Sequence, residues 1–382
     1  MNLIYLDNAA TTALRPEVVV RMTKVLNETY GNASSSHSFG RSSKSLLEQC
    51  RKNIASYFNV SGSEIVFTSG GTEADNLVLR SAVRDLGVTE IITSQIEHHA
   101  ILHTIDQLQK EYDIKVTYVK LKVDGSIDEE DLESVLGHSD EKKLVTLMHV
   151  NNEIGNVLNL RKIADIVKSN GALFHSDTVQ SIGHYKIDLK EIPIDFAAAS
   201  AHKFHGPKGV GFCFIRKESS LKPLIFGGEQ ERGHRAGTEA LHNIVGMDEA
   251  LKISYDNLDE ERAYILNLKN YFIAALQSNI PNISFNGCSD SEEKSTYTLL
   301  NVRLPKTPGK ASMLQFQLDL KGIASSRGSA CQSGSSQESH VLKAILSDVE
   351  LARPSIRFSF SIYNTKEELD YVVGVLKTLA AS

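Results

Sequence analysis

From Glu64 to Ile215 the chain alternates short β-rich runs with longer stretches of helical periodicity, and nothing else in its 382 residues limits the fold as much. Strands are expected at Glu64–Thr68, Glu90–Thr93, Lys115–Val119, Leu144–Val150, Ala172–His175, Asp195–Ser200 and Val210–Ile215. Helices are expected between them at Glu73–Leu86, Ala100–Lys110, Glu129–Leu136 and Leu160–Ser169. Such an order predicts an α/β fold, a mainly parallel seven-stranded sheet with helices on both faces. Ligands of these sheets bind beyond the carboxyl ends of the strands, so the residues that follow each strand are the ones to inspect.

The flanking segments predict more structure. Pro16 opens a first helix that should end at Gly31, and a second places Leu46, Leu47, Cys50, Ile54 and Tyr57 on one apolar face. After Thr238 helical periodicity continues to Ser278, with a weak break at Asn257-Leu258-Asp259, as a long helix crossing between domains would show. Strands at Thr298–Val302 and Ser355–Ser361, with helices at Ala311–Leu320, His340–Leu346 and Glu367–Leu379, predict a smaller α+β domain. A chain of this length with 41% hydrophobic residues can bury two cores.

Several function classes are disfavoured. The net charge is -6 and no Lys/Arg run is interleaved with aromatics, which argues against direct nucleic-acid binding. No apolar run reaches bilayer length and the first residues lack a signal pattern, so no membrane association is expected and a cytoplasmic location is. Cys50, Cys213, Cys288 and Cys331 lack paired spacing, which fits neither a disulfide framework nor a CxxC zinc site.

The most informative strand is Asp195-Phe196-Ala197-Ala198-Ala199-Ser200, because it runs directly into Ala201-His202-Lys203 and a glycine-containing turn. Burial, together with neighbouring cations such as His202, would disfavour the charge of Lys203 and leave its amine free to form a Schiff base with pyridoxal phosphate (PLP). Ser69-Gly70-Gly71-Thr72-Glu73 lies between a strand and a helix. It reads either as a phosphate cradle or as a tight turn with Thr72 as N-cap. Asp177, in His175-Ser176-Asp177-Thr178-Val179-Gln180, suits the pyridine nitrogen of PLP, the alternative being a turn cap. His98 lies where it would stack on the ring and exchange protons near neutral pH.

His99 and His103 share a helix face, but without a third ligand a surface or capping role is favoured and no metal is expected. Cys331 sits in the Gly/Ser-rich stretch Gly322–Ser336 and is the candidate nucleophile. Cys50 and Cys213 read as core residues, and Cys288, beside Gly287, as an exposed turn thiol. Arg357, between apolar residues, reads either as a carboxylate clamp or as a solvent-facing edge residue.

Six stretches taken together resemble the cysteine desulfurases of the NifS/IscS type, within the fold-type I PLP-dependent transferases related to class V aminotransferases. They are Tyr5-Leu6-Asp7-Asn8-Ala9-Ala10-Thr11-Thr12, Phe67-Thr68-Ser69-Gly70-Gly71-Thr72-Glu73, His149-Val150-Asn151-Asn152-Glu153-Ile154-Gly155, Ser200-Ala201-His202-Lys203, Arg232-Gly233-His234-Arg235-Ala236-Gly237-Thr238 and Gly328-Ser329-Ala330-Cys331. The resemblance implies that Lys203 holds PLP, Asp177 pairs with its ring nitrogen, Gln180 bonds its phenolic oxygen and His98 stacks on the ring. It further implies that Gly71, Thr72, Ser200 and His202 bind the phosphate, with Thr238 supplied by the second subunit of a homodimer. Asn152 and Arg357 would hold the carboxylate of L-cysteine, and Cys331 would take its sulfur as a persulfide for an acceptor protein, leaving L-alanine.

A large PLP-binding domain over 15–257 follows, with a small domain from 1–14 and 258–382 carrying the cysteine loop. Arg327 and Gln332 depart from the small residues expected around Cys331, and a sequence that ends at Ser382, soon after its last expected helix, is expected not to offer the extension by which some relatives meet an iron–sulfur scaffold. Iron–sulfur cluster biogenesis and thiolation therefore both stand as destinations for the sulfur. Selenocysteine lyase, class V aminotransferase and a non-catalytic sulfur-trafficking protein are the rival readings.

Overall fold

The seven strands of the central sheet form where the alternation places them, in a computed structural model that describes residues 3–139, 141–219, 221–305, 313–327 and 339–381. In chain order, β1 (Ile4–Tyr5) precedes α1 (Pro16–Glu28) and α2 (Ser38–Tyr57). Next come β2 (Ile65–Thr68), α3 (Gly71–Leu86), β3 (Glu90–Thr93), α4 (His99–Glu111), β4 (Lys115–Tyr118), α5 (Glu129–Leu136) and β5 (Lys143–Thr146). The sheet is completed by α6 (Leu160–Ser169), β6 (Leu173–Asp177), β7 (Phe196–Ser200) and β8 (Gly211–Ile215). Their lateral order is β2-β8-β7-β6-β5-β3-β4.

Only the two pairings that involve β8 are antiparallel. The link from β7 to β8 is too short to hold a crossover helix, so the chain has to return beside the strand it has just left. Strands buried on both faces need apolar residues on both, and β7 meets that demand with small ones. Ala197 and Ala199 enter the core beneath α1, α2 and α6, while Phe196 and Ala198 enter the core beneath α3 and α4.

The strand expected to reach Val150 stops at Thr146. Beyond it the Asn151 side chain accepts hydrogen bonds from the main-chain N–H groups of Glu153 (2.9 Å) and Ile154 (3.0 Å), folding the segment into a turn. The long helix after Thr238 is two helices, α7 (Leu241–Asp256) and α8 (Leu258–Asn279), meeting at Asn257. The first packs on α1 and α2.

The second packs on the last helix and shares a separate core with the C-terminal elements. These are β9 (Ser284–Phe285), β10 (Leu299–Arg303), α9 (Leu314–Leu320), β11 (Ile323–Ala324), α10 (His340–Ile345), α11 (Asp348–Leu351), β12 (Ser355–Ser359) and α12 (Lys366–Ala381). Strands β12, β10 and β9 form an antiparallel sheet. Ile4 and Leu6 complete its core, and β1 pairs in parallel with β11, so the start of the chain is built into its C-terminal part.

Candidate active site

Where β2, β6 and β7 end, a cleft opens between the sheet and the C-terminal elements. Lys203 stands in a short 3₁₀ turn directly after β7. Its Nζ donates to the carbonyls of Ala9 (2.7 Å) and Ala10 (2.9 Å), which places the amine against the polar loop near the start of the chain. Gln180 Nε2 donates to the same Ala9 carbonyl at 2.9 Å. Asp177, the last residue of β6, is buried and accepts a hydrogen bond from Val179 N at 2.9 Å. That contact is the turn cap, and it engages only Oδ1. Burial raises the Asp177 carboxyl above the ordinary carboxylate range, while Val179 N–H and the Lys203 charge pull it back down.

At the end of β2 the turn is a cradle. Gly70 has φ +152° and caps α3, and Gly71 is the first helical residue. A Cβ on Gly71 would lie 2.5 Å from Val179 Cγ2, so the backbone can approach only because the side chain is absent. Thr72 lies inside the first turn and is not the N-cap, which corrects the turn reading. Gly71, Thr72, Ser200 and His202 all line the cleft at the amino end of α3, an arrangement suited to an anion. His202 Nδ1 is buried with no hydrogen-bond partner among the described residues.

Two histidines differ from expectation in charge. Burial, then the charges of Lys203 and Lys208, push His202 down to about 4, so it is a neutral neighbour of Lys203 and not a cation. His98 caps α4, its Nδ1 accepting from Ala100 N at 3.1 Å, which puts the ring proton on Nε2. Burial, followed by Lys203, holds His98 near 4, neutral throughout the physiological range.

Arg357 comes from β12, is 1% exposed and reaches the cleft from the side opposite the sheet. The solvent-facing alternative is thereby excluded. Its Nη1 donates to the Asn152 carbonyl at 2.7 Å and its Nη2 to Asp7 at 2.8 Å, while Nε has no partner among the described residues. Asp7 also accepts from Ser326 Oγ at 2.8 Å. Sequence reasoning assigned Asp7 no role; the signal was its place in the polar loop that also supplies Ala9 and Ala10. Asp75 was missed as well, although it follows Thr72 by three residues and so shares its helix face.

Thr238 is exposed and does not line this cleft. Its segment is held from behind, where buried Arg51 grips Glu231 (2.6 and 2.8 Å) and Arg235 pairs with Glu73 (2.9 Å). Cys331 and Gln332 lie outside the described residues. On the near side of that stretch Ser326 pairs with the Arg357 backbone; on the far side the Ser339 hydroxyl bonds the Glu153 carboxylate.

Cys50 and Cys213 are core residues, and Cys288 is buried, not exposed. Its main-chain N–H bonds Asn156 Oδ1 at 2.8 Å beneath a Gly287 held at φ +63°. Among the described residues no group of three or more His, Cys, Asp or Glu has metal-holding geometry, and no helix is long and apolar enough to cross a membrane.

The chain matches the aminotransferase class-V family over residues 4–372. It is 39% identical over 378 residues to cysteine desulfurase IscS of Dictyoglomus turgidum, covering 98% of this chain and 94% of the relative. Among solved structures it superposes on a NifS-like protein with a TM-score of 0.90 at 34% identity, covering all of both chains. SspA, solved in complex with cysteine, matches with a TM-score of 0.77 at 29% identity, over 95% of this chain and 100% of that one. With a lysine-bearing cleft at the carboxyl ends of a mostly parallel sheet, and with likeness of this extent, the chain belongs to the aminotransferase class-V family, among its cysteine desulfurases of the IscS and NifS type.

Proposed function

We propose that this protein is a PLP-dependent cysteine desulfurase that converts L-cysteine to L-alanine and passes the sulfur through Cys331 to an acceptor. The observation that carries the reading is one cleft that joins Lys203, buried Asp177, the glycine cradle and buried Arg357.

The residues fit the cofactor. Gly71, Thr72, Ser200 and His202 would hold its phosphate, with Thr238 of a second copy of the chain in a homodimer. Asp177 would hold its ring nitrogen, Gln180 its phenolic oxygen, and His98 would lie against the ring. When bound, PLP supplies an electron sink for the carbanion formed at the substrate α-carbon. Lys203 carries the cofactor at rest and, once the substrate amine has displaced it, removes the α-proton at Nζ.

Arg357 and Asn152 orient the substrate carboxylate. Arg357 is suited to this because Asp7 and the Asn152 carbonyl fix its fork while Nε has no partner among the described residues. Neutral His98 presents its Nε2–H as a hydrogen-bond donor. The Cys331 thiolate attacks the substrate sulfur; an S–S bond forms, the C–S bond breaks, and the electron pair returns to carbon, which is protonated to give L-alanine. The persulfide sulfur is then available to an acceptor.

The division into a large domain, 15–257, and a small one, 1–14 with 258–382, belongs to this reading. It is supported by the core that Ile4 and Leu6 share with the C-terminal elements and by the helix break at Asn257. So do a cytoplasmic setting and an acceptor protein of iron–sulfur or thiolation type.

The test is intact-protein mass spectrometry before and after brief exposure to L-cysteine without reductant, followed by peptide mapping. One added sulfur on Cys331, absent from Cys331→Ala, is the expected result. An unmodified thiol on PLP-loaded protein would overturn persulfide chemistry in favour of transamination.

A further inference from the structure

Behind Asp177 lies a second acid that the mechanism above does not use. Asp75 is 1% exposed and lines the same cleft from α3. Its Oδ1 stands 3.5 Å from Nε2 of His175, a residue with no solvent exposure, and neither atom has a hydrogen-bond partner among the described residues. His175 is two positions before Asp177 on β6, so the two side chains share one face of the strand. The other ring nitrogen of His175, Nδ1, is 2.9 Å from the buried Thr146 hydroxyl on β5. When the hydroxyl donates there, the imidazole proton is on Nε2, the ring nitrogen that faces Asp75 at 3.5 Å.

We propose that Asp75, backed by His175, is a positioning residue for the cofactor's ring nitrogen: together they form a second acid–base pair behind Asp177 that helps set how tightly that nitrogen holds its proton. This inference rests on the reading that PLP sits with its ring nitrogen at Asp177.

The charges around Asp75 explain how the pair works. From β6 it faces His175 and Asp177, from the turn after β3 Glu97, and from β8 the Cys213 thiol; Lys203 acts on Asp177. His175 is neutral, because burial pushes it down to about 3. Among the described residues Asp75 faces two acidic groups, Asp177 and Glu97. Burial, then Asp177 and Glu97, raises its carboxyl well above the ordinary range. A protonated ring nitrogen would bring a positive charge that favours the Asp75 carboxylate, and a carboxylate there would in turn favour the proton on the ring. The His175 N–H steadies that carboxylate.

The test is ¹⁵N NMR of holoenzyme loaded with ring-labelled PLP, titrated from about pH 6 upward until the ring nitrogen loses its proton. Asp75→Asn keeps the size and the contact with His175 but cannot ionise. It should lower the midpoint at which the ring nitrogen loses its proton by about one pH unit, roughly tenfold in proton affinity. His175→Asn should shift it in the same direction, and the double variant no further than the larger single shift, because the two act as one unit.

If both single variants titrate within about 0.3 unit of the wild type, the inference is wrong and Asp75 is only a buried acid. If Asp75→Asn does not fold, His175→Asn decides alone. Asp177→Asn separates this inference from the reading beneath it. Loss of the protonated signal there, with Asp75→Asn unchanged, overturns the inference alone; an unchanged Asp177→Asn titration overturns both.

Discussion

Replacing Arg357 with lysine should isolate the step in which the substrate carboxylate is gripped. In the folded protein the guanidinium spends two donors on fixed partners, the Asn152 carbonyl at 2.7 Å and Asp7 at 2.8 Å, and is 1% exposed. A lysine keeps the positive charge but has one nitrogen where the arginine has three, so it can stay on Asp7 or meet the substrate, and cannot present a fork. A hydrogen bond to a charged group contributes about 1.5–3 kcal/mol. Losing one from the substrate complex corresponds to a rise of roughly 10- to 150-fold in KM for L-cysteine. PLP binding should be unchanged, because Arg357 is assigned to the substrate.

The assay is alanine release over a range of L-cysteine concentrations, with cofactor content read from absorbance and with both proteins held well below their melting temperatures. A KM within about twofold of the wild type would refute the argument, since less than roughly 0.4 kcal/mol would then pass through that side chain. A large loss of PLP would refute it differently, by showing that Arg357 supports the cofactor.

Two further expectations follow from particular residues. Thr238→Ala should weaken PLP binding by about tenfold, within the usual range for a hydrogen bond to a charged group. At PLP concentrations too low to load the Thr238→Ala homodimer, its mixed dimers with Lys203→Ala should contain one intact site, so activity that appears on mixing checks whether Thr238 acts across the dimer; no recovery would place it elsewhere. His149 is buried and neutral, its pKa pushed down to about 3 against an unfolded value near 6.5. The unfolded chain therefore binds the extra proton first, and stability falls as pH drops below about 6.5, by about 2 kcal/mol from this group at pH 5. His149→Gln should remove that part of the loss in urea unfolding compared at pH 7 and pH 5, and an unaltered pH dependence would show that His149 is protonated in the folded state.

The residues legible in the sequence are those whose role depends on near neighbours along the chain. Phe196–Ser200 is a small-residue strand that has to end at His202 and Lys203, and Gly70-Gly71 has to turn between β2 and α3; both can be read within ten letters. Asp7 could not be read this way, because its partner Arg357 is 350 residues away and only the folded chain brings them together. Charge states were equally hidden. His202 looks cationic beside Lys203 until burial is known, and the same burial neutralises it. Cys288 looked exposed because a glycine precedes it, yet that turn packs inward against Ile154 and Asn156. Helix α7 was read through into α8 because the pattern of apolar residues barely changes at Asn257, while the cores that they serve are different.

The pairing of β1 with β11 has a consequence for the order of assembly. Ile4 hydrogen-bonds Gly322, Leu6 hydrogen-bonds Ala324, and Asn8 reaches Ser359, a separation of 351 residues. The loop that satisfies Lys203 is therefore unmoored until nearly the whole chain has been synthesised, and closing so long a loop is a late and slow event in folding. During translation the central sheet can form before the Ala9 and Ala10 carbonyls reach Lys203. The ability to capture the cofactor should accordingly appear in refolding as a late phase, after the helical signal has recovered, and a tag that crowds Leu3 should slow that phase more than it lowers the melting temperature.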